Sequence, residues 1–277
     1  MSDQLEKTRH FRLLHERNAC FVMPNAWDAG TARILTALGF EAIATTSLGL
    51  VNSLGRADHI VTLEETLENC RQIASATHLP VNADLENCFA DDPKEAAETI
   101  RLAAETGIAG GSIEDYTGDS SQPIYDFNLA VERVQAAVEM AQSLPIPFVL
   151  TARAENLLHG VNDLDDTIKR LQSFEAAGAD VLFAPGLKTL DEIRTVLSAI
   201  EKPFNVVTGW LDRDITISQL AATGATRISV GGALSRLALA NFIQGARSLK
   251  EEGSIAWMNE MADISDLQNL FSVDSDS

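Results

Sequence analysis

The sequence has few cysteines, few aromatic residues and no long hydrophobic run. Its three cysteines, Cys20, Cys70 and Cys88, form no disulfide or metal-binding motif, so we expect a reduced protein of the cytoplasm. No apolar stretch approaches the roughly 18 residues that a membrane-spanning helix needs. The first 18 residues are charged throughout and predict neither a signal peptide nor a transit sequence.

Positive charge is also scarce. The chain has 21 basic and 40 acidic residues, a formal net charge of −19, which argues against binding to nucleic acid or to an anionic membrane. With 45% hydrophobic and 22% charged residues, the composition is that of an ordinary globular protein with a large core. We therefore expect neither nucleic acid nor a membrane surface among its partners, and the acidic excess is otherwise interpreted as favouring solubility.

One structural unit repeats along the chain. Short apolar or β-branched runs predict eight strands, and amphipathic stretches of helical period separate them. The predicted strands span 20–24, 41–46, 79–84, 110–115, 147–153, 179–185, 203–209 and 226–232. Several helices end at a glycine directly before the next strand, as in LTALGFEAI and FEAAGADVL.

Eight such units predict a closed (β/α)8 TIM barrel. The alternative is an open doubly wound sheet, but no glycine-rich dinucleotide turn follows the first strand. We expect a single barrel domain over residues 1–277. An extra helix over 2–17 precedes the first strand, and a C-terminal helical extension covers residues 253–277.

Two neighbouring strand ends deliver acidic side chains. In such a barrel the active site lies at the carboxyl ends of the strands, where Asp84 and Glu114 would converge. Oxygen ligands without histidine or thiol partners suit Mg2+ or Mn2+, so we predict a cation site there, with Glu86 as a further ligand. Asp91 and Asp92 precede Pro93 and are instead interpreted as caps of the next helix.

Other strand ends supply candidates for substrate binding. Arg153, after the fifth strand, would pair with a substrate carboxylate, although an ion pair with Glu114 or Glu155 is the structural alternative. Asn205, at the seventh strand, is a further candidate. Ser47, Leu48 and Gly49 form a turn whose backbone N–H groups suit a carboxylate.

The motifs PNAWDAGTARILTALGFEAIATTS, ADLENCFADDP, SIEDYTGD, TARAE and RISVGG resemble the isocitrate lyase and phosphoenolpyruvate mutase superfamily. The resemblance runs from about Phe21 to Gly245. It implies a Mg2+-dependent barrel enzyme that forms an enolate-like intermediate from a small 2-oxo or 2-hydroxy di- or tricarboxylic acid. It also implies a homo-oligomer, a dimer or homotetramer, in which the last helix is exchanged between subunits.

The same resemblance assigns roles to individual residues. Asp58 in GRADH resembles an aspartate near the reacting bond, and Arg153 resembles the substrate-binding arginine. Ser47, Leu48 and Gly49 match the carboxylate-binding turn, while Asp84 and Glu114 match metal-associated acids. Tyr125 is a second candidate for proton transfer because of its place on the presumed lid loop 116–126, and the alternative is an aromatic residue that packs the lid.

The chain also departs from this family pattern. Asn82 replaces the first acid of the Asp-x-Asp found in many members, and Cys88 lacks the basic and histidine neighbours that would make it a catalytic acid. The loop 116–126 lacks the lysine of the phosphonate mutases. We therefore favour a carbon–carbon lyase, decarboxylase or hydrolase over mutase-type P–C chemistry. A third hypothesis is a barrel that binds 2-oxo acids with little turnover.

Overall fold

A computed structural model describes residues 2–57 and 60–272 of the chain. Eight strands form one parallel sheet: β1 (Phe21–Met23), β2 (Ile43–Ala44), β3 (Val81–Ala83), β4 (Gly110–Glu114), β5 (Val149–Arg153), β6 (Val181–Phe183), β7 (Phe204–Val207) and β8 (Arg227–Ser229). They are paired in the order β1-β8-β7-β6-β5-β4-β3-β2. Backbone bonds from Ala44 N to Pro24 O (2.9 Å) and from Ala26 N to Ala44 O (2.7 Å) join β1 to β2 and close the sheet. The predicted (β/α)8 barrel is confirmed.

Helices alternate with these strands. They are α1 (Ser2–Glu16), α2 (Ala29–Ala37), α3 (Ser47–Ser53), α4 (Leu63–Ser75), α5 (Pro93–Ala104), α6 (Phe127–Ser143), α7 (Leu164–Ala176), α8 (Leu190–Leu197), α9 (Ile217–Ala221), α10 (Ala233–Arg247) and α11 (Ile264–Ser272). Within the described ranges, no helix is both long and apolar enough to cross a membrane.

The helix boundaries follow local sequence signals. Gly39, Gly107, Gly178 and Gly224 take left-handed φ values of 82° to 101° at the predicted helix-to-strand junctions, a conformation that glycine adopts without steric cost. Asp92 caps α5 by accepting bonds from Lys94 N (2.8 Å) and Glu95 N (3.2 Å). The capping prediction is confirmed for Asp92.

The extra N-terminal helix closes the bottom of the barrel. Phe11 and Leu14 of α1 are buried in one cluster with Phe21 and Met23 of β1. His15 reaches the barrel interior from the same helix and accepts a hydrogen bond from Arg227 of β8 (3.2 Å). The barrel is therefore sealed at the amino-terminal ends of its strands and has its mouth at the carboxyl ends.

The C-terminal region behaves differently from the rest of the barrel. In α10 only Ser235 and Gly245 are buried, although the helix carries Leu237, Leu239, Phe242 and Ile243, which are 37% to 72% exposed. The extension beyond it forms short helical turns and then α11, from which Phe271 O accepts a bond from Arg33 on α2 (3.3 Å).

Candidate active site at the barrel mouth

The carboxyl ends of β3, β4 and β5 bring three of the predicted side chains together. Arg153 lies between the two predicted metal acids: its Nη1 is 2.8 Å from Asp84 Oδ1, and its Nη2 is 3.2 Å from Glu114 Oε2. Arg153 and Glu114 are register partners in the β4–β5 pair. The two acids therefore converge as the sequence predicts, and in this structure the guanidinium bridges them.

A fourth charged residue fixes the orientation of this guanidinium. Arg153 Nε donates to Glu155 Oε1 at 2.8 Å, and the Glu155 side chain is 1% exposed. Burial opposes the charged form of Arg153, but Glu155, Glu114 and Asp84 together raise its pKa. The arginine is permanently charged, and its plane is set by carboxylates on three sides.

Negative charge exceeds positive charge at the mouth. The cavity there is lined by Asp84, Glu86, Glu114 and Glu155, with Arg153 beside them. Burial raises the pKa of Glu114 well above its usual range, because Arg153 offsets the desolvation only partly and the other acids add to it. Burial likewise raises the pKa of Glu155 to about 7. The excess of buried carboxylates would be relieved by an added cation.

The residues present fit a hydrated divalent cation. Across residues 2–57 and 60–272, no three His, Cys, Asp or Glu side chains stand close enough to form a metal cage by themselves. Mg2+ needs only one or two carboxylates, because it retains several of its own waters. Asp84, Glu86 and Glu114 all line the one cavity, and carboxylates are a donor type that suits such an ion.

The predicted carboxylate-binding turn is the first turn of α3. Ser47 N donates to Asp84 Oδ2 at 3.1 Å, and Gly49 N donates to the capping hydroxyl of Thr46 at 3.3 Å. A Cβ at Gly49 would lie 2.6 Å from the Cβ of Trp27, so close packing requires this glycine. Ser47 and Leu48 line the cavity, and the turn also holds the Asp84 carboxylate.

Asn205 lies deeper in the barrel. Its Oδ1 accepts a bond from Arg227 Nε (2.8 Å), and its Nδ2 donates to Ser229 Oγ (3.0 Å). Asn205 and Arg227 both line the mouth cavity, whose volume is about 340 Å3. Sequence reasoning selected Asn205 but missed Arg227, because nothing in RISVGG indicates that the arginine side chain points into the barrel.

Tyr125 lies apart from the acid cluster. Its hydroxyl donates to Asp91 Oδ1 and accepts a bond from Asn87 Nδ2 (3.4 Å), and its ring stacks on Arg133 with 4.2 Å between guanidinium carbon and ring centroid. Tyr125 thus ties the loop 116–126 to the loop after β3. The N-cap of α5 is Asp92, so the prediction that Asp91 also caps this helix is wrong, and Asp91 instead accepts a bond from Tyr125.

The sequence also drew attention to Asp58 and Cys88, and His159 is a further residue at the mouth. Asp58 lies outside the described residues. Burial raises the pKa of the Cys88 thiol to about 12, which agrees with the prediction that it is not a catalytic acid. His159 lines the cavity, where its ring stacks on Tyr116 at 3.7 Å between centroids.

Two buried arginines beside the mouth are not apparent from sequence patterns. Arg170 on α7 pairs with Asp115 at 3.1 Å, which gives that acid a structural partner. Arg133 on α6 is 1% exposed and donates to the backbone carbonyls of Asn87, Ala90 and Asp91. Both sit within amphipathic helices, where an arginine usually indicates a solvent-facing position.

Most of the chain matches one known protein family, and nearly all of it superposes on a solved structure. A family model described as phosphoenolpyruvate phosphomutase matches residues 11–250. A crystal structure of a protein from Burkholderia cenocepacia J2315 superposes with a TM-score of 0.96 and 47% identity, covering 99% of this chain and 98% of that chain.

Two examples represent the similar proteins that have named activities. An oxaloacetate decarboxylase of Ectopseudomonas mendocina (strain ymp) is 27% identical over 232 residues, which are 80% of this chain and 77% of that protein. The crystal structure of a 2,3-dimethylmalate lyase superposes with a TM-score of 0.84 and 25% identity, covering 99% of this chain and 95% of that chain.

Proposed function

The chain belongs to the phosphoenolpyruvate phosphomutase family, and on that premise we propose that it is a Mg2+-dependent carbon–carbon lyase or decarboxylase. Its substrate would be a small 2-oxo or 2-hydroxy di- or tricarboxylic acid. The observation that carries this proposal is the cluster of Asp84, Glu114 and Glu155 around Arg153 at the barrel mouth. The named activities of the similar decarboxylase and lyase support the same class of reaction.

The metal would be held at the mouth by Asp84 and Glu114, with Glu86 as a further donor. A bound Mg2+ supplies Lewis-acid stabilisation of negative charge that develops on a substrate oxygen. Asp84 is kept in place by Ser47 N, and Glu114 by its position at the end of β4. These residues would position the ion without a rearrangement of the barrel strands.

Arg153 would bind the substrate carboxylate next to the metal. Glu155 holds the guanidinium through Nε. Nη1 and Nη2 contact Asp84 and Glu114, and each carries a second N–H group that could engage a ligand carboxylate. A preoriented guanidinium stabilises negative charge with little reorganisation during the reaction. For proton transfer we keep Asp58, the candidate that the family resemblance supplies.

The experiment is an assay of the purified chain with Mg2+ and a panel of acids. Oxaloacetate, 2-methylisocitrate, 2,3-dimethylmalate and phosphonopyruvate would be supplied separately, and the formation of pyruvate, phosphate and phosphoenolpyruvate followed with and without EDTA. We expect Mg2+-dependent release of a 2-oxo acid. Phosphate release from phosphonopyruvate, or its conversion to phosphoenolpyruvate, would favour P–C chemistry. Metal-dependent oxalate binding without any turnover would favour a binding protein.

A substitution at Asp84 tests the position of the metal. Asp84→Asn should weaken Mg2+-dependent oxalate binding by about 100-fold, because a carboxylate ligand becomes an amide, while the melting temperature changes little since the amide oxygen still accepts from Ser47 N. Asp165→Asn, on the exposed side of α7, is the matched control and should be unchanged. Full oxalate affinity in Asp84→Asn would show that the cation is wrongly placed.

We also propose that the protein is a homo-oligomer, a dimer or tetramer, in which α10 packs on a partner subunit. In a (β/α)8 barrel each helix normally covers the sheet, whereas α10 leaves Phe242 72% exposed and Leu237 59% exposed. Apolar surface of this kind usually marks an interface.

A cytoplasmic location is a further proposal. The free state of the three cysteines supports it, because disulfides are rare in that compartment.

A further inference from the structure

The barrel interior beneath the acid cluster is unusually polar. Every second residue of a strand faces the barrel interior. The layer below Asp84, Glu114 and Arg153 therefore consists of the residues that lie two positions earlier in each chain segment. These deeper residues are Asn82, Ser112 and Thr151, all at most 5% exposed. The two layers are separated by about 6–7 Å. Interior layers of such barrels are usually filled by branched apolar side chains.

Arg227 supplies a positive charge to this inner layer. It is 2% exposed, and its three hydrogen-bond partners are neutral: Asn205 Oδ1 (2.8 Å), His15 Nε2 (3.2 Å) and Thr151 Oγ1 (3.1 Å). Among the described residues, the ion pairs at this end of the molecule involve Arg153 and Arg170 but not Arg227.

Burial without a counter-ion is costly for a guanidinium. Desolvation, with a smaller contribution from Arg153, lowers the pKa of Arg227 to about 9. A guanidinium has five N–H groups, and within residues 2–57 and 60–272 the three bonds to Asn205, His15 and Thr151 leave two of them for another acceptor. In the inner layer, Arg227 therefore offers a positive charge and two N–H groups that a ligand could use.

A second polar group in the same layer has bonding capacity left. The buried Asn82 Oδ1 has no hydrogen-bond partner among the described residues, and half a turn of the amide would present its NH2 group instead. Asn82 and Arg227 both line the cavity that also contains Asp84 and Arg153. A ligand bound at the mouth can therefore extend down to the inner layer through continuous space.

We propose that Arg227, with Asn205, Thr151 and Asn82 around it, forms an inner subsite for the distal carboxylate of the substrate. This inference rests on the proposed function, in which the other end of the substrate binds beside the metal. The barrel would select acids that carry a second carboxylate on the carbon chain and discriminate against monocarboxylates. The distal carboxylate would neutralise Arg227, which the protein's own described acids leave unpaired.

Ligand affinities test this subsite on the unmodified full chain. Lactate and malate are both 2-hydroxy acids, and malate differs by the added carboxylate. Oxalate is short enough to bind at the mouth alone. Both enantiomers of each hydroxy acid would be titrated calorimetrically with saturating Mg2+. We expect malate to bind about 10- to 100-fold more tightly than lactate, the usual value of a hydrogen bond to a charged group.

Substitutions at Arg227 test whether this residue causes the preference for malate over lactate. Arg227→Gln should reduce malate affinity to that of lactate and leave oxalate affinity unchanged, and Arg227→Lys should keep part of the preference. Arg194→Gln, at an exposed arginine paired with Asp191, is the matched control. Unchanged oxalate binding also shows that each variant is folded.

The outcomes distinguish a failure of the inner subsite from a failure of the proposed function. If the unmodified protein binds oxalate but does not distinguish malate from lactate, the inner subsite is overturned and the polar layer is structural. The same conclusion follows if Arg227→Gln keeps the malate preference. If the protein binds none of these acids with Mg2+, the proposed function fails and the subsite fails with it.

Discussion

At the scale of single residues, burial determines whether a side chain is chemically active. The thiol of Cys88 is fully buried and contacts Ser112 O at 3.8 Å, and its pKa of about 12 leaves almost no thiolate at neutral pH. Cys20, in contrast, is partly exposed. The sequence motif around Cys88 lacked activating neighbours, and the structure adds desolvation as a second reason for low reactivity.

This difference predicts selective thiol chemistry. Native protein treated with iodoacetamide should be labelled mainly at Cys20, and all three cysteines should be labelled in denaturant, as read by peptide mass spectrometry. Cys88→Ser should retain activity within about twofold, since a protonated thiol takes no part in proton transfer. Cys20→Ser is the matched control. A Cys88→Ser protein that folds but has lost activity would restore the thiol mechanism.

His15 gives a prediction about pH and stability. Burial, reinforced by Arg227, lowers its pKa from 6.5 to about 3. Between these values the unfolded chain binds a proton that the folded chain does not, so the free energy of unfolding falls as pH falls from 6.5 toward 3. The slope contributed by His15 approaches about 1.4 kcal/mol per pH unit.

The measurement is urea unfolding at several pH values for the wild type and His15→Gln. Glutamine keeps an acceptor for Arg227 but does not titrate, so the difference in unfolding free energy between the two proteins should shrink or invert as the pH is lowered. The carboxylates titrate in both proteins and cancel in that difference. Parallel pH profiles would contradict the assigned pKa of His15.

At the scale of elements, the loop after β3 is held in an uncommon conformation. Glu86, Cys88 and Phe89 have left-handed φ values of 49°, 60° and 56°, which are costly for residues other than glycine. Arg133 on α6 donates to three carbonyls of this loop. A helix behind the barrel wall thereby fixes the loop that carries Glu86 to the mouth.

Loosening this contact should affect both stability and turnover. Arg133→Lys keeps the charge but cannot make all three bonds, and each buried carbonyl left without a donor costs about 1–3 kcal/mol. We expect a lower melting temperature and a kcat reduced more than KM is raised. Arg101→Lys on α5, where the arginine contacts exposed glutamates, is the control. Unchanged kcat in Arg133→Lys would show that the loop does not position the site.

At the scale of the whole molecule, charge and exposed apolar surface act in opposite directions. The net charge of −19 opposes nonspecific association, whereas the apolar residues of α10 favour a specific contact. Helix α10 follows directly from β8, so a partner subunit packed on it, as we propose, would also lie near the barrel mouth.

The oligomer prediction can be tested on this helix. Phe242→Glu should shift the protein to a smaller species in light-scattering chromatography, because a charge is placed on a surface that we expect to be buried between subunits. Asn241→Asp, a charge change at the neighbouring exposed position, should leave the mass unchanged. A monomeric wild type, or an unaltered mass in Phe242→Glu, would contradict the exchange of α10.

The sequence by itself determined the barrel, because its strands, helices and glycine junctions follow from local periodicity and backbone preference. It also placed Asp84, Glu114 and Arg153 at one end, since the carboxyl ends of parallel strands meet at the same edge. Whether these residues hold a metal and a substrate is still a prediction.

Only the tertiary structure decided which groups touch. Arg227 and His15 are 212 positions apart in the chain, and Arg133 reaches a loop more than 40 positions away. No local pattern reports such distances, nor the desolvation that shifts the pKa of Cys88 and His15. Burial and partner choice depend on how distant segments pack, and for that physical reason the inner layer of the barrel became visible only in three dimensions.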